Sequence, residues 1–231
     1  MTFTTRRCAA IRVGAISWIA GALVFTLANI VAQLAWHTPY SLRNNNISDL
    51  GNVYCKNTDA ADNPPVRYIC SPLHTLLDTS CAITALLIIL GVFLTARCWG
   101  KGFASVSARV LIVIGACGYL LAGVRPADVD LNVHILGALF IMGGGNIGLL
   151  VAGPAFRRGP LRALQVPTLA LGTLAFAATI LHFNRTYLGL GMGGTERIAV
   201  FALQAWLVIT AIAVLRGTGD SWPVRQAARH R

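Results

Sequence analysis

Long apolar runs, broken by short polar stretches, set the pattern of this chain. Six such runs stand out, roughly Val13 to Trp36, Pro72 to Ala96, Ser107 to Val124, Val133 to Phe156, Leu164 to Phe183 and Ile198 to Leu215. A helix rises 1.5 Å per residue, so about 20 apolar residues cross a hydrocarbon core. Each run meets or closely approaches that length. The pattern predicts an all-α integral membrane protein, a six-transmembrane-helix bundle. A cleaved signal peptide fits the first run poorly. It is longer than an h-region, and Trp36-His37 offers no small-residue cleavage site.

Arginine and lysine then orient the bundle, because cytoplasmic loops carry their excess. With the N-terminus inside, the inner segments hold thirteen of the nineteen basic residues and the outer segments six. Every inner segment contributes, including Arg97, Lys101 and Arg109 before the third span and Arg157, Arg158 and Arg162 before the fifth. Both termini are therefore expected in the cytoplasm, and the cell membrane is the expected location. Trp36, Trp99 and Trp222 fall at or just beyond span ends, where amphipathic rings favour the interface.

Composition agrees. Charged residues make up 12% of the 231 residues, about half the usual soluble share of ~25%. The six spans leave no room for a separate soluble domain, so residues 1–231 are expected to form one membrane domain with a cytoplasmic tail over 216–231. The net charge of +11 raises the question of nucleic acid. The basic residues are scattered over several loops and not gathered in a patch, which argues against that partner. Membrane lipid is the expected surrounding, and another membrane protein is a compatible partner.

The longest connection, 37–71, is expected outside. It contains Cys55 and Cys70, and an outer compartment permits disulfides. Cys8, Cys81, Cys98 and Cys117 fall in or near spans and read as small buried apolar residues. The first and last three spans share no motif, which speaks against inverted repeats.

Polar chemistry gathers at the outer face. Asp49, Asp59, Asp62, Asp78, Asp128, Asp130 and Glu196 are all expected there, and only Asp220 inside. His37, His74, His134 and His182 follow the acids, while His230 is in the tail. Ser71-Pro72 reads as the start of the second span. His74 and Asp78 are then four apart on one helix face, and a carboxylate one turn into the membrane needs a partner. Asp128 and His134 flank the start of the fourth span. They read either as mouth-facing site residues or as part of a Pro-Asp turn with its cap. Thr195 reads as an N-cap with Glu196 in the first turn. Arg197 there would oppose the helix dipole, so an acid or anionic ligand is its expected partner. Tyr40 to Asn52 is rich in hydrogen-bonding side chains and could fold over the bundle mouth as a lid. Gly137, Gly144 and Gly148 lie near one face of the fourth span and suit close helix packing.

These stretches resemble a known family. Tyr40 to Gly51, with its Asn-x-Ile-Ser-Asp-Leu-Gly core, is similar to the opening motif of the DUF998 family of multi-pass membrane proteins. Pro126, Asp128 and His134 resemble its second motif, and Gly194-Thr195-Glu196-Arg197 its third. Arg125 stands where an aromatic is expected before Pro126. The resemblance implies the six-helix topology and no substrate. A looser likeness to membrane hydrolases of the alkaline ceramidase kind is an analogy only, since the last span here lacks their paired histidines.

Two functional readings follow. In one, the outer pocket binds a lipid or amphiphile headgroup through Asn46, Ser48, Asp49, Arg125, His182, Arg185, Glu196 and Arg197. In the other, His74, Asp78, Asp128 and His134 serve a hydrolase or transferase acting on an outer-leaflet lipid. Imidazole and carboxylate groups of that kind suit acid–base work or, with zinc as cofactor, metal-assisted hydrolysis. A transporter would place ionisable groups nearer the midplane, and the inner halves of these spans are nearly free of them.

Overall fold

A computed structural model of the chain describes residues 3–58, 66–157 and 159–219. Asp59, Asp62, Arg158, Asp220, Trp222, Arg225, Arg229, His230 and Arg231 lie outside the described residues.

Among the described residues, seven α-helices make six spans: α1 (Phe3–Leu34), α2 (His74–Leu94), α3 (Phe103–Val124), α4 (Leu131–Leu139), α5 (Asn146–Phe156), α6 (Gln165–Phe183) and α7 (Gly191–Gly219). The six spans are long and apolar enough to cross a membrane. One span is composite. Phe140–Gly145 forms a π-helical turn that joins α4 to α5. Such bulges insert an extra residue into a helix and often mark functional regions.

The spans form a ring in chain order, in which α1 packs on α2, α2 on α3, α3 on α5, α5 on α6, α6 on α7, and α7 back on α1. Small residues permit the closest approaches. A Cβ at Gly118 would run into Gly137 O and Ile141 N, one at Gly137 into Ala122 N and Gly118 O, and one at Gly148 into Ile112. The glycines of the fourth span therefore face α3, as their spacing suggests. Lipid competes equally well for apolar surface, so such close packing and buried hydrogen bonds carry much of the association. Asn146 supplies one set, donating from Nδ2 to Thr179 Oγ1 and Ala199 O at 3.0 Å each, and so ties α5 to α6 and α7.

The two ends of the ring differ. At the end holding the α2–α3 connection, Trp18, Trp99, Trp206 and Phe156 fill the centre, with ring centroids 5.4–6.4 Å apart. Each indole N–H has an acceptor: Ile88 O, Thr95 Oγ1 and Thr168 Oγ1 respectively. Each aromatic pair is worth about 0.5–1.5 kcal/mol beyond burial. The interfacial position expected for Trp99 gives way to full burial, because its indole completes this cluster.

At the opposite end, the mouth, the connection between α1 and α2 lies across the ring. It carries a 3-10 turn, Ser48–Gly51, and a small hairpin of β1 (Lys56–Asn57) and β2 (Tyr68–Ile69). The strands pair antiparallel with Lys56 opposite Ile69. A Cys55–Cys70 disulfide closes the hairpin beside that pair.

Candidate functional site

The mouth is built from three segments that are distant in sequence. The first is the lid, residues 40–52. Two apolar side chains anchor it: Leu50 is fully buried and Ile47 nearly so, both within the main core. Polar groups then fix its shape. Asp49 is the hub. Its Oδ2 accepts from Asn45 Nδ2 (3.1 Å) and Asn46 N (3.0 Å), and both its oxygens meet the Arg67 guanidinium at 3.1 and 3.3 Å. A two-point contact of this kind fixes orientation as well as charge. Arg67 precedes β2, so the disulfide-closed hairpin holds the lid turn from one side.

The second segment is the start of α7, which grips the lid from the other side. Glu196 accepts the Ile47 N–H at 2.5 Å. Arg197 donates from Nη1 to Leu42 O (3.0 Å), Asn45 O (2.7 Å) and Gly193 O (2.9 Å), and from Nη2 to the Tyr40 hydroxyl (2.5 Å). Its guanidinium also lies over the Tyr40 ring, 5.5 Å from the centroid. Gly193 donates its N–H to Arg43 O at 2.8 Å. A Cβ at Gly193 would overlap Asn45 O and Leu42 O, so glycine is required for the lid to lie this close. Burial pushes the Tyr40 hydroxyl well above its ordinary pKa, although the Arg197 charge pulls the other way. Tyr40 therefore stays protonated and donates to Asn46 O at 3.0 Å.

The third segment is the connection from α3 to α4. Asp130 caps α4 by accepting from Val133 N at 3.1 Å. Asp128 accepts the Tyr54 N–H at 2.7 Å, which ties the chain beyond the lid to this connection. His134 meets Arg125 O at 3.1 Å, while the Arg125 side chain is exposed.

Two adjoining cavities lie among these segments. The larger, about 390 Å³, is a vestibule between the hairpin, the lid, and the mouth ends of α4, α6 and α7. Asn46, Ser48, Asp49, Asp128, His182 and Arg185 line it, as do His134 and Glu196. The smaller, about 50 Å³, lies beneath the lid and has room for only a few atoms. Its wall is mainly apolar, with Ser48, Asp78, His134 and Glu196 as its main polar groups. Ser48, His134, Ala138, Met142 and Glu196 line both cavities and mark where they meet.

Several predicted site residues act differently from their expected roles. His74 lines neither cavity. Its Nδ1 meets Ser71 O at 3.2 Å, so the expected His74–Asp78 pair is not made. The cause is local: α2 begins at His74, and Ser71 uses its hydroxyl on Leu50 O (2.6 Å) instead of capping the helix. Asp78 turns toward Gly51, where an added Cβ would meet its Oδ1, and Asp128 lies within electrostatic reach. Arg197 pairs with carbonyls and a phenol, not with an anion. It is in the second turn of α7, which starts at Gly191, and Thr195 bonds back to Gly191 O and Met192 O. Arg125 lines neither cavity. Among the described residues, no three His, Cys, Asp or Glu side chains converge as metal ligands. The candidate set for zinc is thus dispersed: His74 bonds to Ser71 O outside both cavities, and His182 bonds to Met192 O and Thr195 Oγ1.

Sequence reasoning passed over Arg67, Asn52 and Tyr40 as site residues. For Arg67, the usable signal was a cation close to Cys70, in a loop where a bridge to Cys55 would hold it near the motif acid Asp49.

No curated protein and no solved structure matches the chain. A family model described as a protein of unknown function, DUF998, matches residues 19–213, a stretch that takes in the lid, both cavities, four whole spans and most of the first and last. The chain belongs to the DUF998 family of multi-pass membrane proteins.

Proposed function

We propose that the vestibule holds the headgroup of a lipid or amphiphile, with the mouth facing outside the cell and both termini in the cytoplasm. The whole chain then acts as one membrane unit. The observation that carries this reading is the two-sided wall of the vestibule. One side is polar, formed by the lid and the hairpin. The other includes Leu131, Ile135 and Phe183, which are exposed on helices that face the membrane. A headgroup can sit against the first while an acyl chain leaves past the second into the bilayer. The volume suits this use, since ligand pockets start near 300 Å³. The excess of basic residues on the terminal side of the spans supports the orientation.

The test is native mass spectrometry of protein taken from membranes in mild detergent. Wild type is expected to retain lipid that Ala138→Phe loses, because Ala138 lies where the two cavities meet. Equal retention by both, with the fold intact, would refute the reading.

A second reading, a lipid hydrolase or transferase, is favoured by one observation. Asp78 and His134 share the small cavity, and the Asp78 carboxylate has no hydrogen-bond partner among the described residues. A carboxylate and an imidazole facing one cavity can serve acid–base chemistry. Under this reading Asp78→Asn retains lipid and loses turnover of it.

A further inference from the structure

Buried polar groups in folded proteins are almost always hydrogen-bonded, so the exceptions carry information. Among the described residues, eight buried side-chain polar atoms lack a partner. Four of them belong to residues that line the vestibule: Asn46 Oδ1, Asn52 Oδ1, Asp128 Oδ1 and Arg67 Nη1. Asn52 is only 5% exposed. Two acidic groups of the vestibule are already in use. Asp49 is saturated by Arg67, Asn45 and Asn46, and Glu196 holds the lid at Ile47.

What remains has a definite chemical character. Three acceptors are free, and one is a carboxylate that, when ionised, can only accept. One guanidinium donor is free. Lys56 and Arg185, both exposed, add positive charge to the lining. A primary ammonium offers three N–H donors, and a phosphodiester offers an anion that suits a guanidinium. Given the headgroup reading above, on which this step rests, we infer that the vestibule selects a zwitterionic amino-phosphate headgroup bearing N–H donors. A quaternary amine has the same charges but no N–H, and would leave Asp128, Asn46 and Asn52 unpaired. A purely anionic headgroup would meet Asp128 unfavourably. A neutral sugar would leave both charges uncompensated.

Wild-type protein is reconstituted in nanodiscs of equal parts phosphatidylethanolamine, phosphatidylcholine, phosphatidylglycerol and monogalactosyl diacylglycerol, then released for native mass spectrometry. Phosphatidylethanolamine should be retained over phosphatidylcholine by roughly tenfold, the worth of one charge-assisted hydrogen bond. Asp128→Asn keeps an acceptor for Tyr54 N–H and removes the charge, and should bring that ratio close to one while lipid is still retained. Equal retention of the two phospholipids by wild type, or preference for the glycerol or galactosyl headgroup, would overturn the inference and leave the headgroup reading standing. Retention of no lipid class would overturn the headgroup reading itself. The wild-type ratios decide the matter even where the variant fails to fold.

Discussion

Removing the Arg197 guanidinium should free the lid without unfolding the bundle. The side chain makes four hydrogen bonds, two to lid carbonyls 155 and 152 residues away, one to the Tyr40 hydroxyl and one within its own helix at Gly193 O. A hydrogen bond to a charged group is worth about 1.5–3 kcal/mol net. Three of the four join separate segments, and they share one guanidinium, so their contributions do not add fully. The expected loss in lid docking is about 3 kcal/mol, or about a hundredfold in the docking equilibrium. The spans keep their own contacts, so the loss should be local. Hydrogen exchange on wild type and Arg197→Ala in the same detergent provides the assay. The Asn46 and Ile47 amides, which donate to Asp49 and Glu196, should exchange about a hundredfold faster in the variant. Amides inside α3 and α5 should be unchanged. Arg197→Lys should recover only part of the protection, because one ammonium cannot span Tyr40 and the two carbonyls as a fork does. Unchanged exchange at Asn46 and Ile47 would refute the clamp, and faster exchange throughout the spans would show that Arg197 holds the bundle instead.

Other consequences follow from the same geometry. Gly193→Ala should destabilise the lid by about 2–4 kcal/mol, since the new methyl group overlaps two lid carbonyls, and the same two amides report it. Reducing the Cys55–Cys70 bridge, which closes a 15-residue separation, should lower the melting temperature by the equivalent of about 3 kcal/mol, and Cys55→Ser/Cys70→Ser should melt at the reduced value whether or not reductant is present. Tyr40 has its pKa raised above 10 in the folded protein by burial, so its contribution to stability is complete below pH 10 and is lost as pH rises through the folded value. The ultraviolet tyrosinate titration should therefore show a late component whose amplitude falls in Tyr40→Phe.

The spans were legible because the membrane imposes one rule on every residue within it. Apolar length alone located all six, and the glycine face of the fourth span pointed correctly to a close neighbour. The helix starts at the mouth were harder to read. Gly191 to Gly194 look like a loop, yet α7 begins at Gly191, which has a φ of 76°. The missing side chains there serve the lid that lies against them. The partner of Arg197 follows from that shift, and no local rule links position 197 to carbonyls at 42 and 45. The His74–Asp78 spacing was read correctly as one helix face. Its pairing failed because the first turn of a helix also offers His74 a carbonyl, that of Ser71. The lid was suggested by its polar richness, but its anchors are Ile47 and Leu50, two apolar residues inside a polar stretch.

The central claim, that lipid occupies the vestibule, is tested most directly by a photoreactive benzoylphenylalanine placed at Ile135 on its wall. The comparison position is Ile16, an exposed residue of α1 remote from the mouth. Irradiation in native membranes followed by mass spectrometry reads the lipid adducts at each position. A strong excess of one headgroup class at 135, and bulk composition at 16, is the predicted result. The same bulk mixture at both positions would contradict it, and would leave the mouth as a structural cap without a ligand.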